Sequence, residues 1–154
     1  MTKDGVTIIL AEDDDGHATL VERNLRRAGL DNEFVRVRDG QAALDFFFGA
    51  EAPQCETCIL LLDIKMPRVD GIEVLRRLKG DPRTATLPVV MLTTTDDPRE
   101  VERCYQLGCN VYVTKPVEYE QFIEAVKRLG FFLQVVKVPP RASAPAGASG
   151  ESAG

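Results

Sequence analysis

The chain has 154 residues, 44% of them hydrophobic and 28% charged, with a net charge of −5, one histidine and no tryptophan. That length supports one domain with its own core, and the composition is ordinary for a soluble globular protein. The acidic balance excludes non-specific nucleic-acid binding, which needs a basic face, and no apolar run approaches the ~20 residues of a membrane helix. The opening MTKDGV lacks the basic-then-apolar pattern of a leader. A cytoplasmic protein is therefore expected, with neither nucleic acid nor membrane as partner.

In chain order, VTIILA (6–11) is apolar and β-branched, hence a strand. Four acids follow it, Glu12, Asp13, Asp14 and Asp15. His17 to Ala28 carries Leu20, Val21, Asn24, Leu25 and Ala28 at helical spacing, and Gly29 ends it. EFVRV (33–37) alternates like an edge strand. Asp39 caps a helix from Gly40 to Phe48, with Ala43, Leu44, Phe47 and Phe48 as its apolar stripe. After the loop GAEAPQCET, the run Ile59 to Leu62 ends abruptly at Asp63. Four aliphatic residues without alternation read as a strand covered on both faces.

Pro67 and Gly71 bracket a loop, and Ile72 to Lys79 form a helix with Ile72, Leu75 and Leu78 facing inward. A second loop, DPRTATLP, leads to the strand PVVMLT (88–93), which ends in Thr93, Thr94 and Thr95. Asp97-Pro98 opens a helix in cap-then-proline order, and Gly108 stops it after Leu107. NVYVT (110–114) is the fifth strand, followed by Lys115-Pro116. A last helix is expected over about 118–129, then the apolar segment 131–138. The Pro/Ala/Gly/Ser-rich residues 139–154 are expected to be disordered. Five strands alternating with five helices define an α/β, doubly wound, mostly parallel sheet with helices on both faces.

Cysteines stand at Cys55, Cys58, Cys104 and Cys109. Spacing alone is weak evidence for zinc or redox chemistry, so reduced thiols are expected, two of them in a loop.

Ligands of such sheets sit at the carboxyl ends of the strands. Gathered there are Glu12 to Asp15, Asp63, Thr93 to Thr95 and Lys115. The first and third strands are neighbours at the switch point, so Glu12, Asp13 and Asp63 fall together. Carboxylates that share a pocket repel unless a cation intervenes. Hard oxygen ligands suit Mg²⁺, which keeps positions for water and phosphate oxygens. With Lys115 and the Thr93 hydroxyl added, the set forms a phosphoryl cradle, and Asp63 becomes a nucleophile that forms an aspartyl-phosphate.

Four stretches, ILAEDD, LLLDIKMPRVDG, PVVMLTTT and GCNVYVTKP, occur in this order. Together they make the chain resemble, over about residues 5–130, the receiver domain of two-component response regulators. That resemblance implies a flavodoxin-like fold with strand order 2-1-3-4-5. It implies Asp63 as phosphoacceptor, Asp13 as direct Mg²⁺ ligand, Glu12 acting through water and the Lys65 backbone carbonyl as a further ligand. It implies Thr93 and Lys115 as phosphoryl contacts and Tyr112 as an aromatic switch. It also implies a protein that catalyses only its own phosphorylation and dephosphorylation. LTTT before an acidic helix start, G-x-N-x-Y-x-x-K and FFLQVVKVPP are similar to the small phytochrome-associated response regulators. Those are single receivers, so the resemblance implies a phytochrome-type histidine kinase as partner. It further implies a homodimer through the fourth helix, fifth strand and fifth helix. The segment Phe131 to Val138 needs burial, in that dimer or back on its own domain.

Glu12 stands where aspartate is frequent in the family, and Thr94 is bulkier than the usual alanine or glycine. Lys65 and Thr95 occupy the positions that tune dephosphorylation, and neither orients an attacking water well. A long-lived aspartyl-phosphate is expected. A tight turn at Lys115-Pro116 is expected to be cis.

Three other functions share parts of this pattern. A flavodoxin-like cofactor enzyme needs a Gly/Ser/Thr-rich phosphate loop where four acids stand. A metal-dependent phosphatase needs an acid where Lys65 stands. A dimeric scaffold that is never phosphorylated does not need the complete pocket. Among the acids, Asp14 is expected to cap the first helix, and His17 to be an exposed first-turn residue with no assigned partner.

Overall fold

The computed structural model describes residues 6–27, 29–49, 57–93, 97–114 and 124. The strands are β1 (Val6–Ala11), β2 (Phe34–Val37), β3 (Thr57–Leu62), β4 (Val89–Thr93) and β5 (Val111–Thr114). The helices are α1 (Asp15–Arg27), α2 (Gly40–Phe48), α3 (Gly71–Lys79) and α4 (Pro98–Leu107). All strand pairs are parallel, and the sheet order is β2-β1-β3-β4-β5. Of the expected last helix Glu124 alone is described, helical and exposed; the rest of that helix, the apolar segment 131–138, the tail and the Lys115-Pro116 bond lie outside the described residues. Among the described residues no helix is long and apolar enough to cross a membrane.

The apolar runs are explained by cover on both faces of the sheet. Ile9, Ala11, Leu60, Leu62, Val89 and Met91 share a core with Phe47 of α2, Leu75 and Leu78 of α3 and Cys104 of α4. Ile8, Leu10, Leu61, Val90 and Leu92 point the other way and pack with Ala18, Val21 and Leu25 of α1. The two sets alternate along each strand because successive side chains point to opposite faces.

The helix starts follow cap chemistry. Asp14 Oδ1 accepts the His17 N–H at 2.9 Å, so α1 begins at Asp15, two residues ahead of the expected His17. Asp39, Asp70 and Asp97 cap α2, α3 and α4 in the same way, and Pro98 opens α4. Gly108 leaves α4 in the left-handed region with φ 109°, where only glycine is comfortable.

The inward face of α3 is wider than expected. Leu75 and Leu78 are buried and Ile72, half-buried, packs against the same core, and Val74 is buried beside them. With Gly71 as the first helical residue, positions 71, 74, 75 and 78 share one face at 3.6 residues per turn. Cys58 also departs from the expected reduced loop thiol. It lies buried in β3 and is disulfide-bonded, its partner being outside the described residues. Cys104 and Cys109 are free and buried, and burial pushes the Cys104 thiol up to about 11.

Two helix-opening glycines sit where a side chain does not fit. A Cβ on Gly71 would lie 2.1 Å from the Asp63 carbonyl oxygen, and one on Gly40 would lie 1.7 Å from that of Val69. Both contacts are with backbone, which cannot swing aside. Gly71→Ala is expected to cost about 3 kcal/mol, the upper range for overpacking, read from urea unfolding; a loss below ~1 kcal/mol would show that the loop yields.

On the outer face of α3, Glu73 accepts hydrogen bonds from Arg76 and Arg77. The two guanidiniums, Arg76 foremost, hold its carboxyl at about 2 against an ordinary 4.5. A carboxyl depressed in the fold stabilises above its ordinary value and loses that effect as pH falls through its folded value. Thermal melts of wild type and Glu73→Gln should therefore differ most above pH 4.5 and converge as pH approaches 2. A difference that persists unchanged at the acid end would count against the pairing.

Candidate functional site

The site forms where β1 and β3 end side by side. Ala11 is in register with Leu62, and the Asp63 N–H donates to the Ala11 carbonyl at 3.1 Å. That bond holds Asp63 level with Glu12. The ligand oxygens of Glu12, Asp13 and Asp63 all lie within 4.8 Å of one another. Glu12 and Asp63 are 1% and 7% exposed, whereas Asp13 is exposed. Among the described residues this is the one cluster of metal-ligating side chains.

The two buried carboxylates are oriented by short-range contacts. Asp63 Oδ1 accepts the Ile64 N–H at 2.9 Å. Glu12 Oε2 accepts the Asp14 N–H at 3.2 Å, and His17 Nδ1 stands 3.9 Å from the same oxygen. His17, expected to lack a partner, thus borders the pocket. The loop after Asp63 turns back through a Gly71 N–H bond to the Ile64 carbonyl at 2.8 Å. Arg68 takes φ 74° in that loop, with its guanidinium 3.6 Å from Asp39. A left-handed residue other than glycine is uncommon and mildly strained. Lys65, two residues after Asp63, is exposed.

The other acids of the run are held elsewhere. Asp15 pairs with Arg36 and Arg38, whose hydrogen bonds, Arg36 first, hold its carboxyl below the usual range. Arg36 also donates from two nitrogens to the Glu12 carbonyl, at 3.0 and 2.6 Å. Sequence reasoning missed Arg36; its place near the end of the edge strand, level with Leu10, was the available signal.

Thr93 ends β4 opposite Thr114 of β5. Thr94, Thr95 and Lys115 lie outside the described residues. Tyr112 is half-buried against the core shared with α3 and α4. Its N–H, on the outer strand of the sheet, donates to the Tyr105 hydroxyl of α4 at 3.1 Å.

The donor set fits a hard divalent cation. Three carboxylates crowd together, two of them buried, and Mg²⁺ is bound through such oxygens with room left for water or phosphate. Comparison with known proteins agrees. A family model, the response regulator receiver domain, matches residues 8–127. The chain belongs to this family. Receivers are signalling proteins rather than conventional enzymes, and they work with histidine kinases.

A receiver domain structure from Rhodospirillum rubrum has a TM-score of 0.84 and 47% identity, covering 89% of this chain and 99% of that one. The structure of a phosphorylated cyanobacterial phytochrome response regulator, RcpA, has a TM-score of 0.77 and 32% identity, covering 86% and 97%. Response regulator Rcp1 from Synechocystis is 33% identical over 135 residues, 86% of this chain and 92% of its own, and has been solved with Mn²⁺ bound. A probable methanogenesis regulatory protein, FilR2 of Methanothrix harundinacea, is 35% identical over 132 residues, 82% and 83% of the two chains. Phytochrome-associated receivers are thus among the relatives of this chain.

The crowding has a measurable consequence. Two unit charges 4–5 Å apart repel by about 1 kcal/mol near the water limit, and Asp13 is the exposed member. In metal-free buffer Asp13→Asn is expected to raise unfolding stability by about that amount. A destabilised variant in urea titration would rule out repulsion as the dominant effect.

Proposed function

We propose that this receiver accepts a phosphoryl group on Asp63 from a histidine kinase and switches conformation in response. The reading is carried by one observation. Asp63 ends the central strand, buried, with its oxygens within 4.8 Å of those of Glu12 and Asp13. In the transfer, the phosphorus–nitrogen bond of a donor phosphohistidine breaks as a phosphorus–oxygen bond to Asp63 forms, and the imidazole leaves with the electron pair. The Ile64 N–H holds the carboxylate in a fixed orientation for in-line attack. Asp13 would ligate Mg²⁺ directly, Glu12 through water, and the Lys65 carbonyl as a further ligand. Bound there, the ion would neutralise the carboxylates and offset the charge on the phosphoryl oxygens.

Thr93 and Lys115 complete the cradle in this proposal. Thr93 moves toward the phosphoryl group as Tyr112 turns inward, a population shift driven by contacts made in one state only. The receiver unit spans residues 5–130, with 131–138 as an apolar extension. A phytochrome-type kinase in the cytoplasm is the proposed donor, supported by the relationship to RcpA. FilR2 at comparable identity means that the pathway rests on the phytochrome-associated relatives and not on the fold. A homodimer through α4, β5 and the fifth helix is the proposed output, supported by the exposed Tyr105 on α4.

Incubation with acetyl phosphate and Mg²⁺ should label wild type and leave Asp63→Asn unlabelled; equal label in both would sink the proposal. Neither Lys65 nor Thr95 offers a carboxylate or carboxamide to orient water, so the label should persist for minutes or longer. Its disappearance within seconds would contradict the roles given to those two residues.

A further inference from the structure

We propose that Arg36, on the edge strand β2, is a positioning residue for the divalent cation. It acts by gripping the peptide that joins Glu12 to Asp13. The inference rests on the reading of this pocket as a cation site and assigns a role to a residue outside the pocket.

The geometry is specific. Arg36 Nε and one terminal nitrogen reach the Glu12 carbonyl oxygen at 3.0 and 2.6 Å, while the other terminal nitrogen reaches Asp15 Oδ1 at 2.6 Å. The Glu12 N–H is tied to the same strand, donating to the Val37 carbonyl at 3.1 Å. Both backbone polar groups of Glu12 are therefore anchored on β2. A peptide unit is planar, so fixing its oxygen and the preceding residue fixes the Cα of the next. The next residue is Asp13, the exposed member of the acidic trio. A flexible loop would let three mutually repelling carboxylates spread apart in the absence of the ion. The arginine fork opposes that spread and keeps the ligands gathered. The same side chain draws Asp15 away from the pocket, together with Arg38. Arg36 suits this task because its rigid, planar donors hold a geometry that a lysine cannot.

Charge alone makes the opposite prediction. A fixed cation near a cation site weakens binding, so its removal should tighten Mg²⁺. The sign of the change separates positioning from electrostatics. Calorimetric titration of the full chain with MgCl₂ reads it directly, without reference to phosphorylation. Arg36→Met is expected to weaken Mg²⁺ about tenfold, the lower range for lost outer-shell partners of metal ligands. Arg36→Lys, which keeps the charge and loses the fork, should weaken it too, by a smaller factor. Arg38→Met, whose ion-pair partner among the described residues is the exposed Asp15, should stay within about twofold of wild type. Asp13→Asn removes a ligand and should lose the binding heat.

A circular dichroism melt of each variant establishes folding. If Arg36→Met does not fold, Arg36→Lys decides alone. Unchanged or tighter binding in folded Arg36→Met, or wild-type affinity in Arg36→Lys, would overturn the inference and leave the phosphoacceptor reading intact. A wild type without Mg²⁺ affinity would bring down both, and binding heat retained by Asp13→Asn would place the ion elsewhere and overturn this inference.

Discussion

The hydrogen bond from the Asp63 N–H to the Ala11 carbonyl is the last tie between β1 and β3, and the site depends on it. Parallel strands need long crossovers, so nothing local brings residue 11 to residue 63. The side-by-side ladder of six residue pairs from Val6 to Ala11 does so and sets both strand ends level. Beyond the last pair each chain turns outward, and each leaves a carboxylate at the mouth. Gly71 keeps that mouth compact, because its missing side chain lets α3 approach the Asp63 carbonyl. The core on both faces holds the ladder, and the ladder holds the acids.

Four consecutive acids have different structural jobs. Glu12 turns into the pocket and Asp13 joins it from the exposed side. Asp14 caps α1, where a carboxylate meets unsatisfied N–H groups and the positive end of the helix. Asp15 is held outward by two arginines of the neighbouring strand. A run that reads as one block of negative charge is thereby divided into two pocket carboxylates, a cap and an ion-pair partner. The division matters because a fourth carboxylate in the pocket would add repulsion that one divalent ion does not offset.

The strand positions were legible because each strand is covered on both faces or ends in turn chemistry. Gly40–Phe48 and the Asp97-Pro98 start were legible because their caps stand next to them in the chain. The trio Glu12, Asp13 and Asp63 could be brought together once the doubly wound order was assumed. What failed was finer. The buried Val74 was missed because only every third apolar position, 72, 75 and 78, was read as inward, and a helix face takes positions both three and four apart. Arg36 was overlooked despite its readable strand position, because its partners lie 24 and 21 positions away and a basic residue on an edge strand ordinarily faces water. The state of Cys58 was missed because spacing does not report sulfur pairing.

The tie between Tyr105 and Tyr112 bears on how this surface meets other proteins. β5 is the outermost strand on its side of the sheet, and an unpaired outer strand offers its N–H groups to any extended chain that passes. The Tyr105 hydroxyl covers one of them, at the very residue proposed to move on activation. While it stays in place, strand addition from another molecule is blocked at that rung, and recognition must run through side chains of α4 and β5. A shift of α4 would uncover that donor. The rim of the sheet is thus guarded at Tyr112 by a side chain of the neighbouring helix and not by another strand.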